Sequence, residues 1–390
     1  MKTVTVLGST GSVGRSTADL LMAHRDRYAV RAITGGKNAE ALARQAVALG
    51  AKLAVIADPA QYRVLQEALA GHPQIEVAAG SQAVCDAAAL PADWTMAAIT
   101  GAAGLPSTLA AIRRGGAIAF ANKEALVCAG EIMLAAVRQA GATLLPVDSE
   151  HNAIFQAMAE GNGKAVEKIV LTASGGPFRT ASLAEMQAAT PEAALRHPVW
   201  SMGAKISIDS ATMFNKGLEL IEAARLFDLP ETQVDVLIHP QSVVHGMVCY
   251  SDGSVLAQLG SPDMRIPIAH ALAWPERLRT HAPRLDLAAV ARLEFAAPDT
   301  VRFPALRLAR DALRAGAGAP TILNAANEVA VEAFLARRLG FLGIAAVVEA
   351  VLDRLGSPPA GCLDEVMALD GMGRQIAAEM AAAHSARPAA

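Results

Sequence analysis

Thr3-Val4-Thr5-Val6-Leu7-Gly8-Ser9-Thr10-Gly11-Ser12-Val13-Gly14 is the stretch that decides the fold. Its first five residues are apolar or β-branched and predict a buried strand. The glycines predict a tight turn, and the pattern from Ser16 to Met22 predicts a helix. A strand, a glycine turn and a helix in that order open a dinucleotide-binding fold. Glycines let the backbone approach a pyrophosphate, and the helix N-terminus adds N–H donors and a favourable dipole. The spacing is G-x-x-G-x-x-G rather than the usual G-x-G-x-x-G, so a plain turn is the competing reading. The strand before and the helix after argue against it.

Working outward, the next strand is predicted over Ala29–Thr34, followed by Gly35-Gly36-Lys37-Asn38. An NAD site places an acid here to hold the ribose 2′-hydroxyl. This chain offers Lys37 instead, and a cation there favours a 2′-phosphate, hence NADP(H); a solvated loop lysine is the alternative. Further strands are predicted at Leu53–Ile56, Ile75–Ala78, Met96–Ile99, Ala117–Phe120 and Thr143–Val147, with helical patterns between them. Such alternation predicts a mostly parallel sheet covered on both faces. Gly101–Gly104 and Asn122-Lys123-Glu124 follow strand ends, where ligands of such sheets sit. Lys123 also reads as a helix-start lysine, which the dipole mildly disfavours.

Composition bounds the answer. A chain of 390 residues is expected to hold two or three domains, and its 53% hydrophobic content supplies a sizeable core. The formal net charge is -3 with no basic block, which argues against a nucleic-acid partner. Cys85, Cys128, Cys249 and Cys362 show no paired spacing, so reduced thiols in a cytoplasmic protein are expected. No apolar run reaches the roughly 18 residues of a membrane span. The strand at the very start leaves no room for a leader peptide, which is a further cytoplasmic expectation.

The candidate chemistry begins at Leu145-Pro-Val-Asp148-Ser149-Glu150-His151-Asn152. In an extended backbone Asp148 and Glu150 point the same way and repel unless a cation resolves the conflict. Oxygen ligands suit a hard divalent ion such as Mg²⁺ or Mn²⁺. The alternative is a polar loop whose Asp or Ser caps a helix. A strand over Val166–Ala173 then ends in Ser174-Gly175-Gly176-Pro177-Phe178, a backbone pocket for an anion or a simple turn. His197-Pro198-Val199-Trp200-Ser201-Met202-Gly203 has the make-up of a lid or of a tethered surface loop. A helix is predicted from Asp209-Ser210 to Phe227, with Asn215, Lys216, Glu219 and Glu222 on neighbouring faces. These residues are either a solvated face or, with Ser210, a receptor for a phosphate and a metal together.

Strands at Val234–Ile238, Val243–Tyr250 and Val255–Leu259 follow, the last two joined as a hairpin by Ser251-Asp252-Gly253. A hairpin on an open sheet edge suggests self-association. Residues 274–299 read as a proline-rich linker. Beyond it the pattern is helical, including Ile322-Leu-Asn324-Ala-Ala-Asn327-Glu328 and the stripe Ile344, Val347, Val348 and Val351. The tail after His384 is expected to fray.

Assembled in order, these stretches resemble the 1-deoxy-D-xylulose 5-phosphate reductoisomerase family over essentially the whole chain. The resemblance is carried by Gly8–Gly14, Ala121–Glu124, Pro146–Gln156, Ser174–Phe178, His197–Gly203, Lys205–Glu222, His239–Ser242, Gly260–Met264 and Leu323–Glu328. Val199 and Ala204 depart from the family pattern beside the lid. The resemblance implies an α/β chain with a Rossmann-like NADPH-binding domain (1–149), a central α+β catalytic and dimerisation domain (150–273, lid 197–203), the linker and a C-terminal helical domain (300–390). It implies a divalent cation (Mg²⁺, Mn²⁺ or Co²⁺) on Asp148, Glu150 and Glu219, selecting Glu219 over Glu222, with Lys123 close by in the catalytic group. Substrate contacts are implied for Ser149, Glu150, Ser174, His197, Trp200, Ser210, Asn215, Lys216 and Glu219, the phosphate falling mainly to Ser174, Ser210, Asn215 and Lys216. Cofactor contacts are implied for Thr10, Gly11, Ser12, Val13, Gly36, Lys37, Asn38, Asn122, Glu124 and Gly203. The expected activity is NADPH-dependent rearrangement and reduction of a ketose phosphate by a cytoplasmic homodimer.

Overall fold

The computed structural model describes residues 1–158, 163–200 and 202–385; Ser201 of the expected lid and the tail at 386–390 lie outside the described residues. The chain forms two compact units. The first comprises Met1–Ala125, Met133–Asn152 and Asp263–Pro283. Its strands are β1 (Lys2–Leu7), β2 (Tyr28–Gly35), β3 (Leu53–Ile56), β4 (Glu76–Ala79), β5 (Trp94–Ala97), β6 (Ala117–Phe120) and β7 (Thr143–Pro146). They make one parallel sheet in the order β4-β3-β2-β1-β5-β6-β7. Val4, Val6, Ile33, Val55, Met96 and Ile118 are fully buried in it, which is why these strands read as near-continuous apolar runs. β1 lies between β2 and β5, so the strand order reverses beside it. That reversal makes the carboxyl end of β1 a crevice suited to ligands.

Helix Arg265–Ala273 belongs to this first unit, although the sequence reading assigned it to the central domain. The reason is apolar burial. Pro267 through Ala273 are all buried, and the Trp94 indole donates a hydrogen bond to the Ala271 carbonyl at 2.9 Å. The expected linker is divided too: it joins the first unit up to Pro283 and the second from Arg284.

The second unit comprises Leu126–Ile132, Ala153–Pro262 and the chain from Arg284. β8 (Val166–Ala173), β9 (Val234–Ile238), β10 (Val244–Tyr250) and β11 (Val255–Leu259) form a sheet in the order β11-β10-β8-β9. β8 and β9 are parallel; the other two pairs are antiparallel. The expected hairpin is present as β10 and β11. Helices Ala305–Ala315, Ala319–Leu335 and Phe341–Leu355 share one core with this sheet, in which Ile169, Leu171, Phe214, Ile322, Ile344 and Val348 are fully buried.

The helix expected from Asp209 to Phe227 is two helices, Ala204–Thr212 and Phe214–Leu226. Met213 between them has φ 68°, in the left-handed region. The Thr212 hydroxyl donates to the carbonyls of Ile208 (2.9 Å) and Asp209 (3.2 Å), so it satisfies groups that a continuing helix would have bonded. Side-chain periodicity continues across such a break, so the sequence pattern does not reveal it.

Candidate active site

The glycine turn is sterically obligatory. Gly8 has φ +80°, and a Cβ there would lie 2.6 Å from the Ala98 carbonyl oxygen. A Cβ on Gly14 would lie 2.3 Å from the Gly8 oxygen. Helix Ser12–Ala23 starts with Gly11 as its N-cap, without a side-chain cap and without an acid in its first turn. The first N–H groups of a helix have no intrahelical partner, and Thr10, Gly11, Ser12 and Val13 around this start are all at least partly open to solvent. The turn is held by Gly8 N–H donating to Thr34 Oγ1 (3.0 Å) and Ser9 Oγ donating to Gln45 Oε1 (2.8 Å).

Gly36, Lys37 and Asn38 are exposed just beyond β2. Asn38 accepts from the Ala41 N–H at 2.9 Å and caps helix Ala39–Leu49, so it already has a local structural role. Asn122 caps helix Lys123–Ala140 through the Ala125 N–H (3.3 Å) and donates to the Gly101 carbonyl (3.1 Å). It is buried and ties together the two loops expected to line the cleft. Glu124 is buried beside it in the first helical turn.

The Asp148-Ser149-Glu150 reading needs one correction. β7 ends at Pro146 and helix Ser149–Ala157 starts three residues later, so strand alternation does not align the two carboxylates. Asp148 instead heads the helix, its carbonyl accepting from the Asn152 N–H at 2.8 Å. Its carboxylate meets the buried Lys123 amine at 2.5 Å. Ser149 Oγ donates to the Glu150 carboxylate. The helix start and a charged pair thus share one turn. Asn152, not singled out in the sequence, donates to the Pro146 carbonyl (2.8 Å) and to His270 Nδ1 (3.1 Å), pinning the approach to Asp148. Burial, aided by Arg277, pushes the His270 pKa down to about 4, so the ring is neutral and Nδ1 accepts.

The residues expected to receive an anion lie in the second unit. Gly175 and Gly176 have φ +83° and +67°, and a Cβ on Gly176 would lie 2.8 Å from the Ser210 oxygen. The Ser174 loop therefore rests directly on the turn that carries Ser210. Ser174 Oγ accepts from the Gly176 N–H (3.1 Å) and is bonded to His197 Nε2 (2.8 Å). His197 Nδ1 accepts the N–H groups of Val199 (3.2 Å) and Trp200 (2.8 Å), which places the ring proton on Nε2, facing Ser174. Burial holds the His197 pKa below its ordinary value. Gly203 is the N-cap of the helix bearing Ser210.

Asn215 and Lys216 occupy the first turn of helix Phe214–Leu226, which has no acidic residue there. Lys216 and Glu219 are each 1% exposed and ion-paired, and Asn215 Nδ2 donates to the other Glu219 oxygen at 2.5 Å. A buried carboxylate held by an amide and an ammonium is fixed in place. The Trp200 ring lies 6.1 Å from that of His245, a residue the sequence reading passed over. Burial lowers the His245 pKa to about 4, and Lys216 adds to the effect.

Comparison with known proteins decides what these parts belong to. The model of 1-deoxy-D-xylulose 5-phosphate reductoisomerase matches residues 4–130. Two models of its C-terminal domain match residues 144–227 and 259–376. The chain belongs to the 1-deoxy-D-xylulose 5-phosphate reductoisomerase family. Among reductoisomerases, that of Gluconobacter oxydans is 62% identical over 96% of this chain and 92% of its own length. That of Rhodospirillum centenum is 60% identical over 98% of this chain and 95% of its own. The solved reductoisomerase of Zymomonas mobilis, in complex with NADPH, superposes with a TM-score of 0.93 at 55% identity, covering 97% of this chain and 99% of that one. A second solved reductoisomerase, in complex with NADPH, fosmidomycin and magnesium, gives 0.94 at 44% identity, covering 98% of each chain.

Proposed function

We propose that this chain binds NADPH and a divalent cation and converts 1-deoxy-D-xylulose 5-phosphate to 2-C-methyl-D-erythritol 4-phosphate, in isoprenoid precursor biosynthesis. The family match along the whole chain carries the reading. The uncapped helix after Gly8–Gly14 suits a dinucleotide pyrophosphate. Exposed Lys37 suits a 2′-phosphate. Asp148, Glu150 and Glu219 are hard oxygen donors, the right chemistry for Mg²⁺, Mn²⁺ or Co²⁺.

The bound cation supplies Lewis-acid polarisation, and bound NADPH supplies the hydride. The protein's part is to hold and orient. Ser174, Ser210, Asn215 and Lys216 grip the substrate phosphate, so binding energy far from the reacting carbons aligns the ketose. Ser149, Glu150, His197 and Lys123 line the carbon chain. Trp200 covers it and excludes water. Purified protein with Mg²⁺, NADPH and the ketose phosphate is expected to lose nicotinamide absorbance only when all three are present. Full-length protein that binds NADPH yet shows no loss would reject the assignment.

A homodimer joined through β11 and a cytoplasmic setting complete the proposal. Among the described residues β11 pairs only with β10 within the chain, and its Val255 and Leu256 are 53% and 47% exposed. Open strand edges with apolar side chains invite pairing. Among the described residues no helix is long and apolar enough to cross a membrane, and no disulfide joins the four cysteines.

A further inference from the structure

Asn327 and Asp209 are two buried polar residues to which the reaction assigns no task. Both are at most 1% exposed. Asn327 Nδ2 donates to Asp209 Oδ1 at 2.8 Å, and Lys205 Nζ lies 2.7 Å from Asp209 Oδ2. Asn327 sits on helix Ala319–Leu335 and Asp209 on helix Ala204–Thr212, one residue before Ser210. Among the described residues the Asn327 Oδ1 atom has no hydrogen-bond partner. A buried amide left half-satisfied costs stability. An apolar side chain would serve the core there at least as well, so packing does not explain the asparagine.

We propose that Asn327 and Asp209 are positioning residues for the substrate phosphate, a role that rests on the phosphate reading given above. Successive residues on a helix are about 100° apart, so anchoring Asp209 on one side fixes the direction of Ser210 on the next. The same turn supports the Ser174 loop, because Gly176 lies against the Ser210 and Ala211 backbone. Helix Ala204–Thr212 ends at the Met213 break, just ahead of Asn215 and Lys216. One hydrogen bond from helix Ala319–Leu335 therefore sets the rotation of a turn that two phosphate contacts depend on. Asp209 takes a neutral amide donor on one oxygen and Lys205 on the other, so both oxygens of this buried carboxylate have a partner.

The test is inorganic phosphate as an inhibitor competing with the ketose phosphate in the full-length protein. Competitive inhibition of the wild type establishes the phosphate pocket; its absence would overturn the pocket reading itself, independently of Asn327. Given that inhibition, Asn327→Ala is expected to raise the phosphate inhibition constant and the KM for the ketose phosphate by roughly tenfold, the scale of one lost hydrogen bond to a charged group. The KM for NADPH should not move. Asp209→Asn, which keeps the shape, should shift the same two constants in the same direction. The double variant Asp209→Ala/Asn327→Ala should be no worse than Asp209→Ala alone. Glu328→Gln is the control: it weakens the ion pair of the same helix with Arg374 without touching Asp209. It should lower Tm and leave phosphate inhibition unchanged. An unchanged phosphate inhibition constant in Asn327→Ala, or an equal rise in Glu328→Gln, would overturn the positioning role.

Discussion

At the scale of single residues, the charged groups proposed for catalysis have fixed partners within each unit. Glu219 is held by Asn215 and Lys216, and Asp148 by Lys123. Removing the charge but not the shape of Glu219 tests its role most cleanly. Glu219→Gln is expected to lower turnover by about a hundredfold or more, the scale of a lost electrostatic contact in a water-excluded site. NADPH binding, followed by nucleotide fluorescence, should persist because Gly8–Gly14 lies in the other unit. The buried histidines make a second prediction. His245 and His270 have folded pKa values of about 4, below the ordinary 6.5, so the unfolded chain binds more protons between those values. Stability is thus complete above pH 6.5 and declines as pH falls toward 4. His245, at 7% exposure, accounts for up to roughly 3 kcal/mol of that decline. Thermal unfolding across pH 7.5 to 4 should show a flatter acid limb in His245→Gln; an unchanged limb would remove His245 as the cause.

Elements carry the next level. Helix Lys123–Ala140 is broken in its middle, with Ala129 at φ -132° and ψ 34°. Three successive carbonyls before the break take side-chain donors: Arg225 Nη1 reaches those of Leu126 and Val127 at 2.5 and 2.6 Å, and Thr321 Oγ1 reaches that of Cys128 at 2.9 Å. Gly130 makes room, since a Cβ there would lie 2.4 Å from Arg225 Cδ. Arg225→Met should cost about 2–4 kcal/mol in urea unfolding, because two buried carbonyls lose a charged donor. At the sheet edge, Leu256→Lys should shift the protein toward monomer in sedimentation; a dimer that persists at low micromolar concentration would argue against β11 as the contact.

These elements also show how much the sequence discloses. β3, β6, β8, β9 and β11 lie at the bounds their residues suggested, because β-branched runs between turn residues leave few alternatives. The breaks at Ala129 and Met213 were not legible. Each depends on a distant side chain or a hydroxyl bonding back to the helix, and neither disturbs apolar spacing. The carboxylates were found for a partly wrong reason: Asp148 and Glu150 head a helix rather than alternate along a strand. Asn152, His270 and Asp209 were missed because their partners lie over a hundred residues away. The available signal was Asn324 and Asn327, two amides among the buried positions of helix Ala319–Leu335.

At the scale of the whole molecule, the chain crosses between its two units more than once. The first unit takes its last piece, Asp263–Pro283, only after more than a hundred residues given to the second. This sets an order on the ribosome. When Asn152 has emerged, all seven strands of the parallel sheet exist, yet the helix that receives the Trp94 indole has not been made. Trp94, 1% exposed in the finished protein, lacks its Ala271 partner until the whole intervening sheet has been made. A chain ending at Asn152 carries Trp94 as its sole tryptophan and should emit at longer wavelength than full-length protein in which Trp200 and Trp274 are replaced by phenylalanine. The nascent sheet therefore waits for a segment translated much later to cover Trp94, and that interval is when chaperones have most reason to attend to it.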